Sequence, residues 1–423
     1  MSRLLPRRAS EVVTAALSDT RVVAVIGARQ VGKSTLVRQL IREVPGARER
    51  RLDRADERDA ARGDPDSFVA HSGLLALDEV QRVPDLFLAI KAVVDVKPDP
   101  GQFLLTGSAR LLGLRHLPDA LVGRSETVEL WPLSQGEIGR LHEAFVDRVF
   151  DAEPRDGPES LPLAPEPEPD LDYRQRVLRG GFPEAVVRSA GRRERFFAAY
   201  VNDLIDRDVS QVSEIARRDD LRRVIRLLAG RAAAPLSIDG VARDAGSVGT
   251  TVERYVSLFE AVFLVKRLAA WSSGATRRAT RQRKLVVVDT GIAAHLLGLT
   301  ESRLARQPAA FGALLENFVL GELARQLTWS DVRAELFHYR TRDGVEVDGV
   351  LEAADGRLVG VEVKAAGTVR ADDFRHLRHL AAKAGNRFHL GVVFHTGTAA
   401  LSFAPGMWAL PIDRLWRVAA PSA

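Results

Sequence analysis

Apolar residues fall into two spacings along this chain, and the switches between them outline the fold. Short continuous apolar runs stand at Arg21–Ile26 (RVVAVI), at Leu74–Asp78 (LLALD) and in FLLTGSAR from Phe103, and Thr127–Leu130 adds a final short strand. Runs of this length, rich in Val, Leu and Ile, are expected of strands buried on both faces of a parallel sheet. Between the first two the period becomes helical: Leu36, Val37, Leu40, Ile41 and Val44 recur every three or four residues until Pro45-Gly46 ends the run. RRLD at Arg50–Asp53 is a further short strand. Val12, Val13, Ala16 and Leu17 mark an amphipathic helix behind a basic N-terminal arm.

Beyond residue 170 helical spacing dominates. Leu171–Ala234 reads as helices able to close over an α/β core. Pro235–Leu268 has the outline of a winged helix: Ile238, Val241 and Ala242 on one helix, a turn at Gly246–Gly249, Val252, Tyr255, Val256 and Phe259 on a second, and FLVKRL as a wing strand. Thr250, Thr251 and Arg254 would then face a duplex, with Arg277, Arg278, Arg281, Arg283 and Lys284 available for phosphate contacts. A packing module with a solvated basic loop fits the same residues equally well. The last block opens with ALLENFVLGELARQL, an amphipathic helix that sets Glu316 among Leu314, Leu315 and Phe318. Two strands follow, joined at the Asp355-Gly356 turn. Alternation sends Val361 and Val363 one way and Glu362 and Lys364 the other, with Asp348 beside them on the preceding strand.

Composition narrows the field without choosing within it. The 423 residues leave room for two to four domains, and 46% hydrophobic with 28% charged residues is ordinary for a globular chain. No apolar run is long enough to span a bilayer and no secretory pattern opens the chain, so a cytoplasmic protein without a membrane partner is expected. The lack of cysteine excludes disulfides and thiolate metal sites. A net charge of +5 leans toward an anionic partner, DNA foremost, although an arginine-rich composition alone gives the same balance. From Asp151 to Asp170, proline and acidic residues replace the apolar pattern, as in an exposed, poorly ordered linker.

The chemistry concentrates at GARQVGKST, Gly27–Thr35, lying between a strand and a helix as G-x-x-x-x-G-K-[ST] requires. Gly27 and Gly32 let backbone N–H groups approach phosphate at a helix N-terminus. Lys33 is expected to reach the β- and γ-phosphates of ATP and the Ser34 hydroxyl to ligand Mg²⁺, with Thr35 completing the loop. Asp78 and Glu79, on a strand end expected next to that of the loop, would hold the Mg²⁺ shell and orient the attacking water. Ser108, or with less support Thr106, is placed to sense the γ-phosphate. Arg124, just after Gly123, would reach into a neighbouring subunit's nucleotide site and so implies a homo-oligomer; a solvated loop arginine is the equal alternative. In the last block, Asp348 and Glu362 suit a Mg²⁺ or Mn²⁺ ion with Lys364 activating a water against a phosphodiester. The same spacing also arises in strands whose charges simply face water.

These motifs, with GRSETVELWPLS, GGFPE, the Arg207-Asp208 pair, KLVVVDTG, LLENFV, EVDG and VEVK, run in order along nearly the whole chain. The chain resembles bacterial and archaeal AAA-type P-loop ATPases whose C-terminal domain, of unknown function, is restriction-endonuclease-like, of PD-(D/E)xK type. The resemblance implies ATPase roles for Lys33, Ser34, Asp78 and Glu79, a sensor at Ser108, the family's arginine at Arg124, and nuclease-type acid and lysine positions at Glu316, Asp348, Glu362 and Lys364. Two departures stand out: the acidic proline stretch looks like an insertion, and Gly349 replaces a bulky apolar residue, which is expected to loosen the strand presenting Asp348. The architecture expected is α/β: a P-loop ATPase core over 1–140, the linker over 141–170, a helical lid over 171–234, a winged-helix-like module over 235–290 and a nuclease-like domain over 291–423. Two functions follow, an ATP-driven, metal-dependent enzyme acting on DNA, or a nucleotide-controlled switch whose C-terminal fold only binds.

Overall fold

The structure, a computed structural model, describes residues 4–107, 120–165, 172–209, 218–274 and 282–420, with 207–209 described by backbone alone. Its first layer is a five-stranded sheet built from β1 (Val22–Gly27), β2 (Arg48–Arg51), β3 (Leu75–Asp78), β4 (Phe103–Gly107) and β5 (Ser125–Leu130). All pairings are parallel and the order is β2-β3-β4-β1-β5. Every residue of β1, β3 and β4 is buried, as continuous apolar runs require when both faces are covered. β2, an edge strand, is Arg-Glu-Arg-Arg and mostly exposed, a charge pattern that discourages further strand addition. The expected neighbourhood of the phosphate loop and the paired acids is corrected in one respect: β4 separates β1 from β3. The two strand ends are thus two spacings apart, about 10 Å, with the end of β4 between them.

A helical block follows, with helices Tyr173–Arg179, Pro183–Val186 and Ala190–Asp203, the last running into a π-helical turn at Leu204–Val209. Next come helix Arg218–Ala229, the helix pair Ile238–Ala245 and Gly249–Ala261, and the antiparallel ribbon of β6 (Val265–Leu268) with β7 (Lys284–Val287). The last layer is a mixed six-stranded sheet in the order β12-β13-β11-β10-β9-β8, made of β8 (Ala334–Arg340), β9 (Glu346–Ala353), β10 (Leu358–Lys364), β11 (Phe388–His395), β12 (Leu401–Ala404) and β13 (Met407–Pro411). Helix Pro308–Gln326 lies on one face, with Leu320 against Gly349, and helix Arg375–Ala384 on the other, with Leu377 and Leu380 against Gly360.

One expectation changes here. The acidic stretch is tied down over its described part: the Ala164 amide donates to Arg417 O at 2.8 Å, the Gly406 amide donates to Pro154 O at 2.9 Å, and Leu161 is buried. Most of its described residues are exposed, as composition predicts, but main-chain bonds to the Gly406 turn and to helix Arg414–Arg417, with one buried leucine, hold the segment. At Gly349 the strand is irregular, as expected: β9 carries one extra residue between its pairs Phe337–Val350 and Tyr339–Val347 with β8, and its ladder with β10 ends at Val361–Gly349. A Cβ at 349 would stand 3.0 Å from Leu320 Cδ2. The helix's leucine supplies the bulk that position 349 lacks.

Candidate functional site

The carboxyl ends of β1, β3 and β4 converge on one edge of the first sheet, where open α/β sheets bind ligands. Gly27 ends β1 with φ +154°, and a Cβ there would come within 2.2 Å of Leu130 O. Only glycine lets β5 pass so close. Gly32, with φ +104°, starts helix Lys33–Arg42, and Thr35 lies in its first turn with its amide donating to Gly32 O at 3.1 Å. The Lys33 ammonium is buried inside the loop and donates to Gly27 O at 3.0 Å and Ala28 O at 2.9 Å.

One carboxylate oxygen joins three elements. Asp78 Oδ1 accepts from the Ser34 hydroxyl at 2.9 Å and from the Thr106 hydroxyl. Thr106, fully buried on β4, in turn accepts from the Glu79 amide at 3.1 Å. Glu79 sits in the left-handed region, φ +60° and ψ 42°, a strained conformation for a side chain this long. Its carboxylate accepts from Gln81 Nε2 at 2.7 Å, with Arg82 Nε 4.0 Å away. Thr106 therefore ties β4 to both acids, while Ser34 reaches Asp78 directly from the helix after the loop. Ser108 lies outside the described residues. The hydroxyl of Ser34 and the carboxylate of Asp78 fit Mg²⁺, a hard ion usually held by one or two protein oxygens plus phosphate and water.

The site is roofed from both sides of the chain. Arg7 donates to Val31 O in the loop at 3.1 Å and pairs with Glu137 at 3.3 Å, while Pro183 of the helical block packs toward Gly32. Arg124 stands elsewhere. Its carbonyl accepts from the Val22 amide at 3.2 Å, at the amino end of β1, and its guanidinium bonds to Asp95 and to Val122 O at 3.1 Å. The six residues of β5 separate it from the loop end of the sheet by about 20 Å. It cannot serve the phosphate loop of its own chain.

A second cluster forms where β7, helix Pro308–Gln326, β9 and β10 meet. Asp348 lies just past the last β9–β10 pair, Gly349 with Val361, and the Val363 amide donates to Asp348 Oδ2 at 2.9 Å. Lys364 Nζ is 3.8 Å from Glu362 Oε2 and 4.0 Å from Asp373 Oδ1, so the shared face expected of these residues is present. What the spacing did not reveal is Lys284. Expected in an exposed basic run, it is fully buried, with Nζ 2.6 Å from Glu316 Oε1, 3.1 Å from Glu346 Oε1 and 3.8 Å from Asp348 Oδ1. Burial acts to lower its pKa, but Glu316, Asp348 and Glu346 outweigh it and hold the ammonium above its ordinary range.

The acids respond in the opposite sense. Burial, then the Asp348 charge, pushes Glu316 up to about 8 against the pull of Lys284. Glu362 is pushed up to about 9 by burial and by Asp348, and its Oε1 is buried without a hydrogen-bond donor, His376 Nδ1 standing 3.5 Å away. Burial raises Asp348 as well, with Lys284 opposing. Of the expected Mg²⁺ or Mn²⁺ site, Glu316, Asp348 and Glu362 share one cluster, but among the described residues no three His, Asp or Glu side chains are placed to hold a metal ion. The physical reason is that a cation, the Lys284 ammonium, already stands among the acids. Sequence reasoning missed Lys284, Glu346, Asp373 and His376. A single lysine heading the buried run KLVVV was the one available signal.

Of the other expected contacts, Thr250 and Arg254 are exposed on helix Gly249–Ala261, Thr251 is half-buried and Arg283 is exposed. Arg277, Arg278 and Arg281 lie outside the described residues, as do the side chains of Arg207 and Asp208. Among the described residues no helix is long and apolar enough to cross a membrane.

Residues 19–139 match the AAA domain family, and residues 170–303 and 311–415 match two domains of unknown function, DUF8612 and DUF4143. The uncharacterized protein Rv2008c of Mycobacterium tuberculosis is 30% identical over 371 residues, covering 86% of this chain and 75% of the relative, and Mb2031c of Mycobacterium bovis gives the same figures. Among solved structures, the Walker-type ATPase PABY2304 of Pyrococcus abyssi aligns with a TM-score of 0.43 at 15% identity, over 69% of this chain and 96% of that one.

Proposed function

Because the chain belongs to the family of the mycobacterial protein Rv2008c and carries an AAA-type P-loop ATPase domain, we propose that Lys33, Ser34, Asp78 and Glu79 carry Mg²⁺-dependent ATP hydrolysis that switches its C-terminal half. The observation that carries this reading is the convergence of the Ser34 and Thr106 hydroxyls on one Asp78 carboxylate oxygen, Ser34 coming from the loop that also holds the buried Lys33 ammonium. Lys33 exchanges two loop carbonyls for phosphate oxygens. Ser34 and Asp78 would hold Mg²⁺, which would supply positive charge against the phosphates. Glu79, presented by its left-handed backbone and braced by Gln81, orients the water. Arg124, out of reach of its own loop, stabilises transition-state charge in a neighbouring copy, so the active form is a homo-oligomer.

For the C-terminal half two readings remain: a restriction-endonuclease-like domain that cuts DNA with a metal, and one that binds without cutting. The order helix, three antiparallel strands, helix, parallel strand supports the fold in both. Lys284 among the acids favours the second, with Thr250 and Arg254 of the winged-helix-like module available to duplex DNA. Helix Pro308–Gln326 offers a physical route from the ATPase. Glu322 accepts from the Gln135 amide at 2.9 Å and Arg325 donates to Pro132 O at 2.9 Å, while Glu316 on the same helix meets Lys284. The test is steady-state hydrolysis and fluorescent-nucleotide binding. Lys33→Ala should lose binding and Glu79→Gln should bind normally without turning over. Wild-type turnover by both variants would overturn the ATPase assignment.

A further inference from the structure

We propose that the Lys284 ammonium is the resident cation of the C-terminal acid cluster, so that this site works without a divalent ion and turns into a divalent-ion site only when that ammonium is removed. The donor set is already committed. Glu316 Oε1 and Glu346 Oε1 contact Nζ at 2.6 and 3.1 Å. Asp348 turns Oδ1 toward the same nitrogen at 3.8 Å and uses Oδ2 to accept the Val363 amide at 2.9 Å. A Mg²⁺ ion needs oxygens at about 2.0–2.1 Å and a Ca²⁺ ion at about 2.3–2.6 Å. An ion bound to the Glu316 and Glu346 oxygens would compete with the lysine nitrogen for the same atoms at close range, cation against cation. Carboxylates crowded this closely require a positive partner, and here the chain supplies it.

Lys284 cannot swing aside to admit a metal. It is fully buried and pairs with Leu268 in the β6–β7 ribbon. Three residues on, Val287 is clamped to the helix that carries Glu316. Its amide donates to Asn317 Oδ1 at 2.8 Å and its carbonyl accepts from Asn317 Nδ2 at 2.7 Å. Strand and helix are thus pinned together at the residue after Glu316, which fixes the lysine's approach. Lys284 acts through the acids it contacts and is a positioning and charge-balancing residue. The face left for a ligand is the far side of the cluster, where the half-exposed Lys364 offers a cation beside Glu362.

The inference deepens the binding reading of the C-terminal half and is independent of the ATPase assignment. The test is Mn²⁺ alone, titrated without nucleotide into full-length protein and followed by the electron paramagnetic resonance of free Mn²⁺. Wild type and Asp348→Asn should take up Mn²⁺ identically. Lys284→Met should bind one additional Mn²⁺ per chain at least about tenfold more tightly than wild type, and the double variant Lys284→Met/Asp348→Asn should lose it. Uptake by wild type of an ion that Asp348→Asn does not bind would overturn the proposal, and that comparison holds whether or not Lys284→Met folds. A folded Lys284→Met, by circular dichroism and gel filtration, that binds no additional ion would overturn it too. Loss of turnover in Lys33→Ala leaves both results untouched, so failure here and failure of the ATPase reading are separable.

Discussion

Replacing Thr106 with valine removes one hydroxyl and almost no volume, and it tests the joint between β4 and the acids of β3. The hydroxyl donates to the Asp78 carboxylate and accepts the Glu79 amide at 3.1 Å, at a position with no exposed surface. A hydrogen bond to a charged group contributes about 1.5–3 kcal/mol, and a buried amide left without a partner costs about 1–3 kcal/mol. Valine retains the β-branched shape, so no cavity offsets the comparison, and the expected loss is about 3 kcal/mol in urea unfolding. The kinetic effect should be selective. Lys33 and the loop amides keep their geometry, so KM for ATP should stay within about threefold, whereas Glu79 loses the bond that holds its strained backbone and kcat should fall at least about tenfold, equivalent to about 1.4 kcal/mol of barrier. Thr106→Ser, which keeps the hydroxyl, should recover most of the turnover. Wild-type stability and kcat in Thr106→Val, or a defect confined to KM, would refute the role assigned to this residue.

His338 gives a pH prediction. Burial, then the Lys284 charge, lowers its pKa to about 4, so the folded chain holds it neutral. Its folded pKa lies below the ordinary value of about 6.5, so the stability it contributes is complete above pH 6.5 and is lost as the pH falls toward 4, at most about 3 kcal/mol over that window. His338→Gln should flatten the decline in melting temperature between pH 6.5 and 4.5, and an unchanged slope would count against the assignment. Arg124 gives a test of assembly. Arg124→Ala and Glu79→Gln should each hydrolyse ATP poorly, yet their mixture should regain part of the wild-type rate, because an interface with Glu79 on one side and Arg124 on the other is then intact. No recovery at any mixing ratio would mean that Arg124 does not act across subunits.

The readable parts of this chain were those whose physics is local. The phosphate loop announced itself because Gly27, Gly32, Lys33 and Ser34 are contiguous and flanked by the right periods. Alternation alone correctly put Glu362 and Lys364 on one strand face with Asp348 beside them. Strand adjacency was not readable, since β4 enters between β1 and β3 through crossover connections that no short window contains. That hid the importance of Thr106, which looked second to Ser108 until β4 was seen to bridge the acids. Lys284 was misread because its sequence neighbour Arg283 is exposed while its partners Glu316, Glu346 and Asp348 lie 32 to 64 residues onward. The acidic stretch misled in the opposite way: its composition described its side chains, and its fate was decided by its backbone.

The placement of Lys284 also bears on how the chain is assembled. During synthesis the lysine emerges first, on β7, and the three carboxylates that surround it arrive later from two other elements. Until helix Pro308–Gln326 and β9 both reach their final places, at least one of these charges would be buried without an opposite, an arrangement costing about 3–5 kcal/mol for each broken pair. A docking that is shifted by one turn or one strand position incurs that penalty in full, whereas the correct one incurs none of it. The buried lysine thereby acts as a check on registration, rejecting near-miss assemblies of the C-terminal half that apolar packing alone would tolerate.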